Sequence, residues 1–349
     1  MKKIIPSFLK KPLITLYIFL RLIFKGGQGS GIRLNLAGVL PPKGSFVHGG
    51  KVKLTHLRER FSETWQGFNL VYFVSSGLPF APHIWIKLYK LFGVKVVWNQ
   101  NGFAYPALYP SEVVLRINNL FQPIHLVDYV VYQTEFTKRC AEKFLGQIRV
   151  PSTILINPVD IDAFKPRVTP LALEPLTILM LGNHFESEER MKTSISSLRM
   201  LKDKGILLKL IVIGHCEEEF SEDWIEKKGP YLQEEAPVLF QSAHIFLHLK
   251  YLDPCPTAVL EALASGMPVI GSRSGGMPEL VNEASGVLIS VPEDFEKLHY
   301  PAPAQVAEAI EKVTQNWPQY SSEARQQALK FDKKIWLDKH EEIFNQLLK

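Results

Sequence analysis

The chain has 349 residues, 46% apolar and 21% charged, a globular composition with material for two cores rather than one. Its net charge of +5 is a local property: 11 Lys and Arg and no acid precede Glu59, and the remainder carries 29 bases against 35 acids. With no RNP-like, zinc-finger or basic-zipper pattern, this distribution argues against a nucleic-acid binder. Three scattered cysteines without CxxC support neither a disulfide framework nor a zinc site and make a reducing compartment the default.

The first 25 residues stand apart. Pro12 to Phe24 is an apolar run of about 20 Å as a helix, short of a ~30 Å hydrocarbon core. Leu13, Leu16, Tyr17, Leu20 and Phe24 share one helical face, while Arg21 and Lys25 lie on another. The pattern suits a helix in an anionic membrane interface. A buried N-terminal helix and a signal peptide are the alternatives; Arg21 and the lack of a small-x-small cleavage site fit the last poorly.

After Gly26 to Gly31, strand-like and helix-like runs alternate. "IRLNLAG" reads as a strand, "KGSFVHGG" as a loop and "KVKLTHLRERF" as a helix. Strand "NLVYFVSS", helix "HIWIKLYKLFG", strand "VKVVW" and a helix within residues 111–126 follow. "DYVVYQ" is a strand, Thr134 caps the helix "EFTKRCAEKFLG", and "STILIN" ends this half. Four prolines between Pro158 and Pro175 mark a linker. The second half restarts with strand "TILMLGN", helix "ERMKTSISSLRMLKDKG" and strand "LKLIVIGH". An acidic helical stretch around 217–228, a helix ending near Ser242 and strand "HIFLHL" come next. "AQVAEAIEKVTQNW" and "KKIWLDKHEEIFNQLL" close the chain as helices. The alternation predicts two open α/β units, each with a parallel sheet, facing one another across a cleft that holds the ligand.

The stretch "DPCPTAVLEALASGMPVIGSRSGGMPELV", residues 253–281, carries the chemistry. Pro254 and Pro256 stiffen a turn, Thr257 is a natural N-cap, and Gly266 with Pro268 stops the helix. Amides near Thr257, Ala258 and Val259, together with the positive helix end, form an anion site suited to a diphosphate. Glu261, one turn further in, can accept from a diol such as ribose. Asp253 can hold hydroxyls of another ring beyond the phosphates. Gly275 and Gly276 make a second tight turn whose amides can also face the ligand.

These residues resemble the donor-binding signature of retaining glycosyltransferase family 4 (group 1 glycosyl transferases, GT-B fold). That signature is Glu-x7-Glu, an alanine-rich helix, G-x-P-V and GG-x-x-E. "VYQTEFTKR" and "INPVDIDAFKP" are similar to further family elements. The resemblance implies two Rossmann-like domains with a C-terminal helix crossing back. Their expected bounds are an N-terminal interface segment 1–25, an acceptor-side domain 26–165, a nucleotide-sugar domain 166–330 and the crossover helix 331–349. It implies transfer of a sugar from a nucleotide-diphosphate donor to a lipid-linked or polysaccharide acceptor, with retention, without a metal and with no cofactor beyond the donor. The expected location is the cytoplasmic face of a membrane. The resemblance puts Glu261 on the ribose, Asp253 on the donor sugar, and His48, Gly49 and Gly50 in a loop near the phosphates.

The departures are specific. The first acid is Asp253, not Glu. The family's Arg after Gly182 is replaced by Asn183, which leaves Arg190 as the substitute cation and Lys192 as the weaker one. The family's first-domain His is replaced by Asn101, and Asn99, Gln100 and Asn101 offer amides to the donor sugar instead. Asp160 and Asp162 have a metal-binding spacing but match the junction pattern. His244 and His248 read as core or surface residues. A nucleotide-sugar epimerase and a non-catalytic partner subunit of the same fold stay open as alternatives.

Deleting residues 1–25 is expected to release the chain from anionic vesicles and leave the two domains folded. Binding of the full chain should weaken as salt rises. Failure of the full chain to bind anionic vesicles at low salt would contradict the interfacial helix.

Overall fold

The structure is a computed structural model that describes residues 31–37, 49–169, 171–182, 188–216, 218 and 220–349. The expected interface segment 1–25, His48 and Asn183 lie outside the described residues.

The first domain is a parallel five-stranded sheet in the order β1 (Leu34–Leu36), β2 (Leu70–Val74), β3 (Lys95–Gln100), β4 (Tyr129–Tyr132) and β5 (Ser152–Ile154). The crossovers carry α1 (Gly49–Arg60), α2 (Pro82–Leu91), α3 (Ser111–Phe121) and α4 (Glu135–Leu145). β2 is buried along its whole length, as a strand covered on both faces must be. Thr134 caps α4 as expected: its side chain accepts from the Thr137 N–H at 3.1 Å.

The second domain is built of β6 (Leu176–Gly182), α5 (Glu188–Asp203), β7 (Leu208–Gly214), β8 (Ile225–Lys228), α6 (Ala236–Phe240), β9 (Ile245–His248), α7 (Thr257–Ala264), β10 (Val269–Arg273), α8 (Met277–Leu280) and β11 (Gly286–Ser290). Its sheet order, β11-β10-β9-β6-β7-β8, is wholly parallel. The chain fills one side of β6 with β7 and β8, then crosses to the other side with β9. The carboxyl ends of β6 and β9 therefore flank a topological switch point, where open α/β sheets hold ligands. The helices α9 (Pro303–Gln315), α10 (Trp317–Leu329) and α11 (Lys333–Leu348) complete the described chain.

α11 crosses back to the first domain. Trp336, Leu337, Ile343 and Phe344 share one buried cluster with Leu34, Leu57 and Tyr72. Within that cluster the Tyr72 hydroxyl donates to His340 Nε2 at 2.8 Å, and His340 Nδ1 donates to the Trp336 carbonyl at 2.9 Å. Burial pushes the His340 imidazole down to about 3, so it is neutral and can accept. The junction is braced rather than loose. Val159 pairs with the backbone between α10 and α11, and the Arg325 guanidinium donates to the carbonyls of Ile161, Phe164 and Ala264.

Two expectations are corrected. The described residues of the acidic stretch around 217–228, residues 218 and 220–228, are not helical, and its end forms the edge strand β8. Ile225 lies opposite Leu210, and Lys209 pairs with Glu226 at 2.6 Å, so cross-strand partners override the helical composition. α10 is an additional helix. Its buried face is Ala324, Gln327 and Ala328, too small to give an apolar stripe, and it packs on α7.

Candidate functional site

The loop between β9 and α7 carries Asp253, leads into the helix that carries Glu261, and is held by four consecutive carbonyls. The Leu252 carbonyl accepts from the Tyr105 hydroxyl at 2.6 Å, and that of Asp253 from the Gly276 N–H at 2.9 Å. The Pro254 carbonyl accepts from the Thr134 hydroxyl at 2.9 Å, and that of Cys255 from the Asn157 amide at 2.9 Å. Tyr105 and Thr134 come from the first domain and Asn157 from the junction, so the loop is gripped from across the cleft. Leu252 sits at φ 50°, a left-handed conformation that these contacts must hold. Glu279 adds a second bridge: its carboxylate accepts from the N–H groups of Glu135 and Phe136 at 2.8 and 3.1 Å, capping α4.

The two acids meet opposite environments. Asp253 is buried; burial alone would raise its pKa, but Lys250 and His248 outweigh that and hold the carboxyl well below its ordinary range. Lys250 Nζ lies 3.1 Å and His248 Nε2 3.4 Å from Asp253 Oδ2. Burial lowers the His248 pKa, against the pull of Asp253. Glu261 has no such neighbour. It keeps partial solvent access, and among the described residues its carboxylate has no hydrogen-bond or ion-pair partner. Burial raises its pKa from 4.5 to about 7. The site thus pairs a carboxylate held as an anion by its neighbours with one whose pKa burial alone raises.

The anion site at α7 is narrower than expected. Thr257 is the first helical residue, and Pro256 precedes it without a side-chain cap. Boundary conventions differ by a residue or so, but the Thr257 hydroxyl does not cap. The Val259 N–H is spent on the Pro256 carbonyl at 3.1 Å. Thr257 and Ala258, both half-buried, occupy the first turn, where no helical carbonyl reaches back to their N–H groups.

The glycine pair serves packing. A Cβ at Gly275 (φ 62°) would lie 2.4 Å from the Asp253 carbonyl oxygen, and one at Gly276 2.0 Å from that of Pro254. The Gly276 N–H goes to the protein and not to a ligand, which corrects the expectation for that amide. Asn101 is also spent internally. Its Oδ1 accepts from the Ser75 hydroxyl and the Ser76 N–H, and its Nδ2 donates to the Ser76 hydroxyl. Gln100 holds Trp98 and the Gly102 carbonyl, and Asn99 accepts from Lys53 Nζ at 2.6 Å. These hydrogen bonds fix the loop after β3.

Of the cations, Arg190 in α5 is fully buried and acts electrostatically on His248. Lys192 is exposed and pairs with Glu188 at 2.8 Å. Gly182 ends β6 at the switch point, and Gly49 and Gly50 open α1. Asp160 pairs with Lys333 at 2.7 Å and accepts from the N–H groups of Asp162 and Ala163, a structural task at the junction. His244 is a core residue as expected, accepting from the Thr177 N–H. His248 and Lys250 were missed. The signal was present: a basic residue three positions before the acid, at the carboxyl end of an apolar strand.

Residues 162–330 match the model of glycosyl transferases group 1. A putative colanic acid biosynthesis glycosyltransferase WcaL of Escherichia coli is 28% identical over 38% of this chain and 36% of its own length. The amylovoran biosynthesis glycosyltransferase AmsK of Erwinia amylovora is 27% identical over 35% of this chain and 34% of its own. The aligned region therefore spans about a third of each of these two relatives. Among solved structures, Anabaena HepE in complex with UDP and glucose aligns with TM-score 0.62 and 16% identity, covering 84% of this chain and 79% of that one. Sucrose-phosphate synthase from Thermosynechococcus elongatus aligns with TM-score 0.62 and 14% identity, covering 86% and 77%. These likenesses show the GT-B fold. No helix among the described residues is long and apolar enough to cross a membrane.

The Glu261 environment sets a pH dependence. Its folded pKa lies above the ordinary value, so the native state keeps a proton that the unfolded chain has lost. Stability is lost as pH rises from 4.5 through about 7. Glu261→Gln should therefore be more stable than wild type at pH 8 by about 2–3 kcal/mol, with the difference closing toward pH 4.5. A pH-independent difference in denaturant midpoints would contradict the lone buried carboxylate.

Proposed function

From a chain whose residues 162–330 match the model of the group 1 glycosyl transferases and whose two sheets form the GT-B fold, we propose a retaining, metal-independent hexosyltransferase. It moves a sugar from a nucleotide-diphosphate donor to a lipid-linked or polysaccharide acceptor in cell-surface glycan biosynthesis. The relatives named for colanic acid and amylovoran support the pathway class. The basic N-terminal segment supports a place on the cytoplasmic face of an anionic membrane.

The observation that carries the reading is the unpartnered Glu261 carboxylate one turn into α7. Two ribose hydroxyls donating to it would favour its ionised form. The Thr257 and Ala258 amides at the positive helix end receive the diphosphate. Asp253, kept ionised by Lys250 and His248, accepts from hydroxyls of the donor sugar. Departure of the nucleotide diphosphate leaves negative charge that half a helix charge does not balance, and Lys250 is already paired with Asp253, so Arg190, whose charge acts on His248, is the cation that offsets it. In the alternative reading, a non-catalytic partner subunit, the internal use of Asn101 has no catalytic cost.

A panel of nucleotide sugars with lipid-linked and glycan acceptors tests the proposal. Transfer should depend on the donor and survive EDTA, and Glu261→Gln should weaken nucleoside diphosphate binding by about 1.5–3 kcal/mol. Activity lost to EDTA and restored by magnesium or manganese would overturn metal independence. Unchanged nucleotide affinity in Glu261→Gln would remove the ribose role. Absence of both binding and transfer would favour the partner-subunit reading.

A further inference from the structure

A second cavity, of about 380 Å³, opens at the other end of α7, beside the junction between the domains. It lies beyond the helix C-terminus at Ser265–Gly266, whereas the candidate donor site lies at the helix N-terminus. Its volume is in the range of small-molecule sites.

The lining is uneven in a way that specifies a ligand. Phe240, Met267, Pro166 and the half-buried Trp317 supply flat apolar walls. The Trp317 ring is fixed, because its indole N–H donates to the His244 carbonyl at 2.8 Å and its edge meets the His244 ring. Two guanidinium groups, Arg167 and Arg325, line the same space, and no Asp or Glu does. Among the described residues neither arginine forms an ion pair with a carboxylate. Arg325 is held in place by three backbone carbonyls, which leave its charge uncompensated by any acid. Arg167 is exposed at the rim.

We propose that this cavity binds a small ring-bearing anion, with the ring against Trp317 and Met267 and the anionic group at Arg167 and Arg325. The walls favour a planar apolar body, and the paired guanidinium charges favour a carboxylate, sulfonate or phosphate. The site is separate from the donor site, and its existence does not depend on the transferase reading.

The probe is 8-anilinonaphthalene-1-sulfonate, an aromatic anion, titrated by fluorescence into the full chain. One saturable site per chain is expected. The uncharged analogue N-phenyl-1-naphthylamine should bind at least tenfold more weakly. Arg167→Glu, at an exposed position, should weaken the sulfonate at least tenfold and leave the melting temperature near that of wild type. Ala243→Phe, which fills the cavity from its wall, should abolish the site. The absence of a saturable site would overturn the proposal. So would equal binding of charged and uncharged probes, or sulfonate binding unchanged in both Arg167→Glu and Ala243→Phe.

Discussion

Four consecutive carbonyls, from Leu252 to Cys255, are each taken by a donor, and this constraint organises the molecule. Two of the donors belong to the first domain, one to the junction and one to the Gly275–Gly276 turn. Fixing those carbonyls fixes the loop, and the loop sets where Asp253 points and where α7 begins. The glycine pair is part of the same constraint, since a methyl group at either position would fall inside the contact radius of the loop backbone. The two domains therefore meet around the site itself, not beside it.

Electrostatics divides the labour within this frame. Asp253 and Glu261 are eight residues apart and chemically alike, yet one is surrounded by Lys250 and His248 and the other by little that is charged. Burial acts on both in the same direction; only the neighbours differ. Asp253 remains an anion through the physiological range. Glu261 titrates within that range until hydrogen-bond donors arrive. Groups whose pKa values are pushed apart in one cleft are suited to different tasks.

Much of this was legible in the sequence because it rests on local rules. Hydrophobic periodicity gave most of the strands and helices, and Thr134 announced its cap. The acid–turn–helix–acid pattern located α7 and its carboxylates. The rest depends on contacts between distant residues. The second glycine of the pair looked like a ligand-facing turn until the loop it packs on, some twenty positions earlier, was placed beside it. Asn101 looked available until Ser75 and Ser76 were set against it. β8 hid in an acidic stretch because an edge strand is stabilised by its partner strand, not by its own composition. α10 hid because its buried residues are small. His248 and Lys250 stand at the carboxyl end of an apolar strand, which the sequence shows, but their role depends on the Asp253 carboxylate turning back onto them.

If the gripped loop and α7 together form a nucleotide-sugar site, a crystal structure of the full chain with the nucleoside diphosphate that it binds shows this most directly. The account predicts the ribose hydroxyls within hydrogen-bond distance of the Glu261 carboxylate and the diphosphate against the Thr257 and Ala258 amides, with the Leu252–Cys255 carbonyls still held by Tyr105, Gly276, Thr134 and Asn157. A nucleotide bound elsewhere, or bound in the cleft with Glu261 turned away from the ribose, would contradict it.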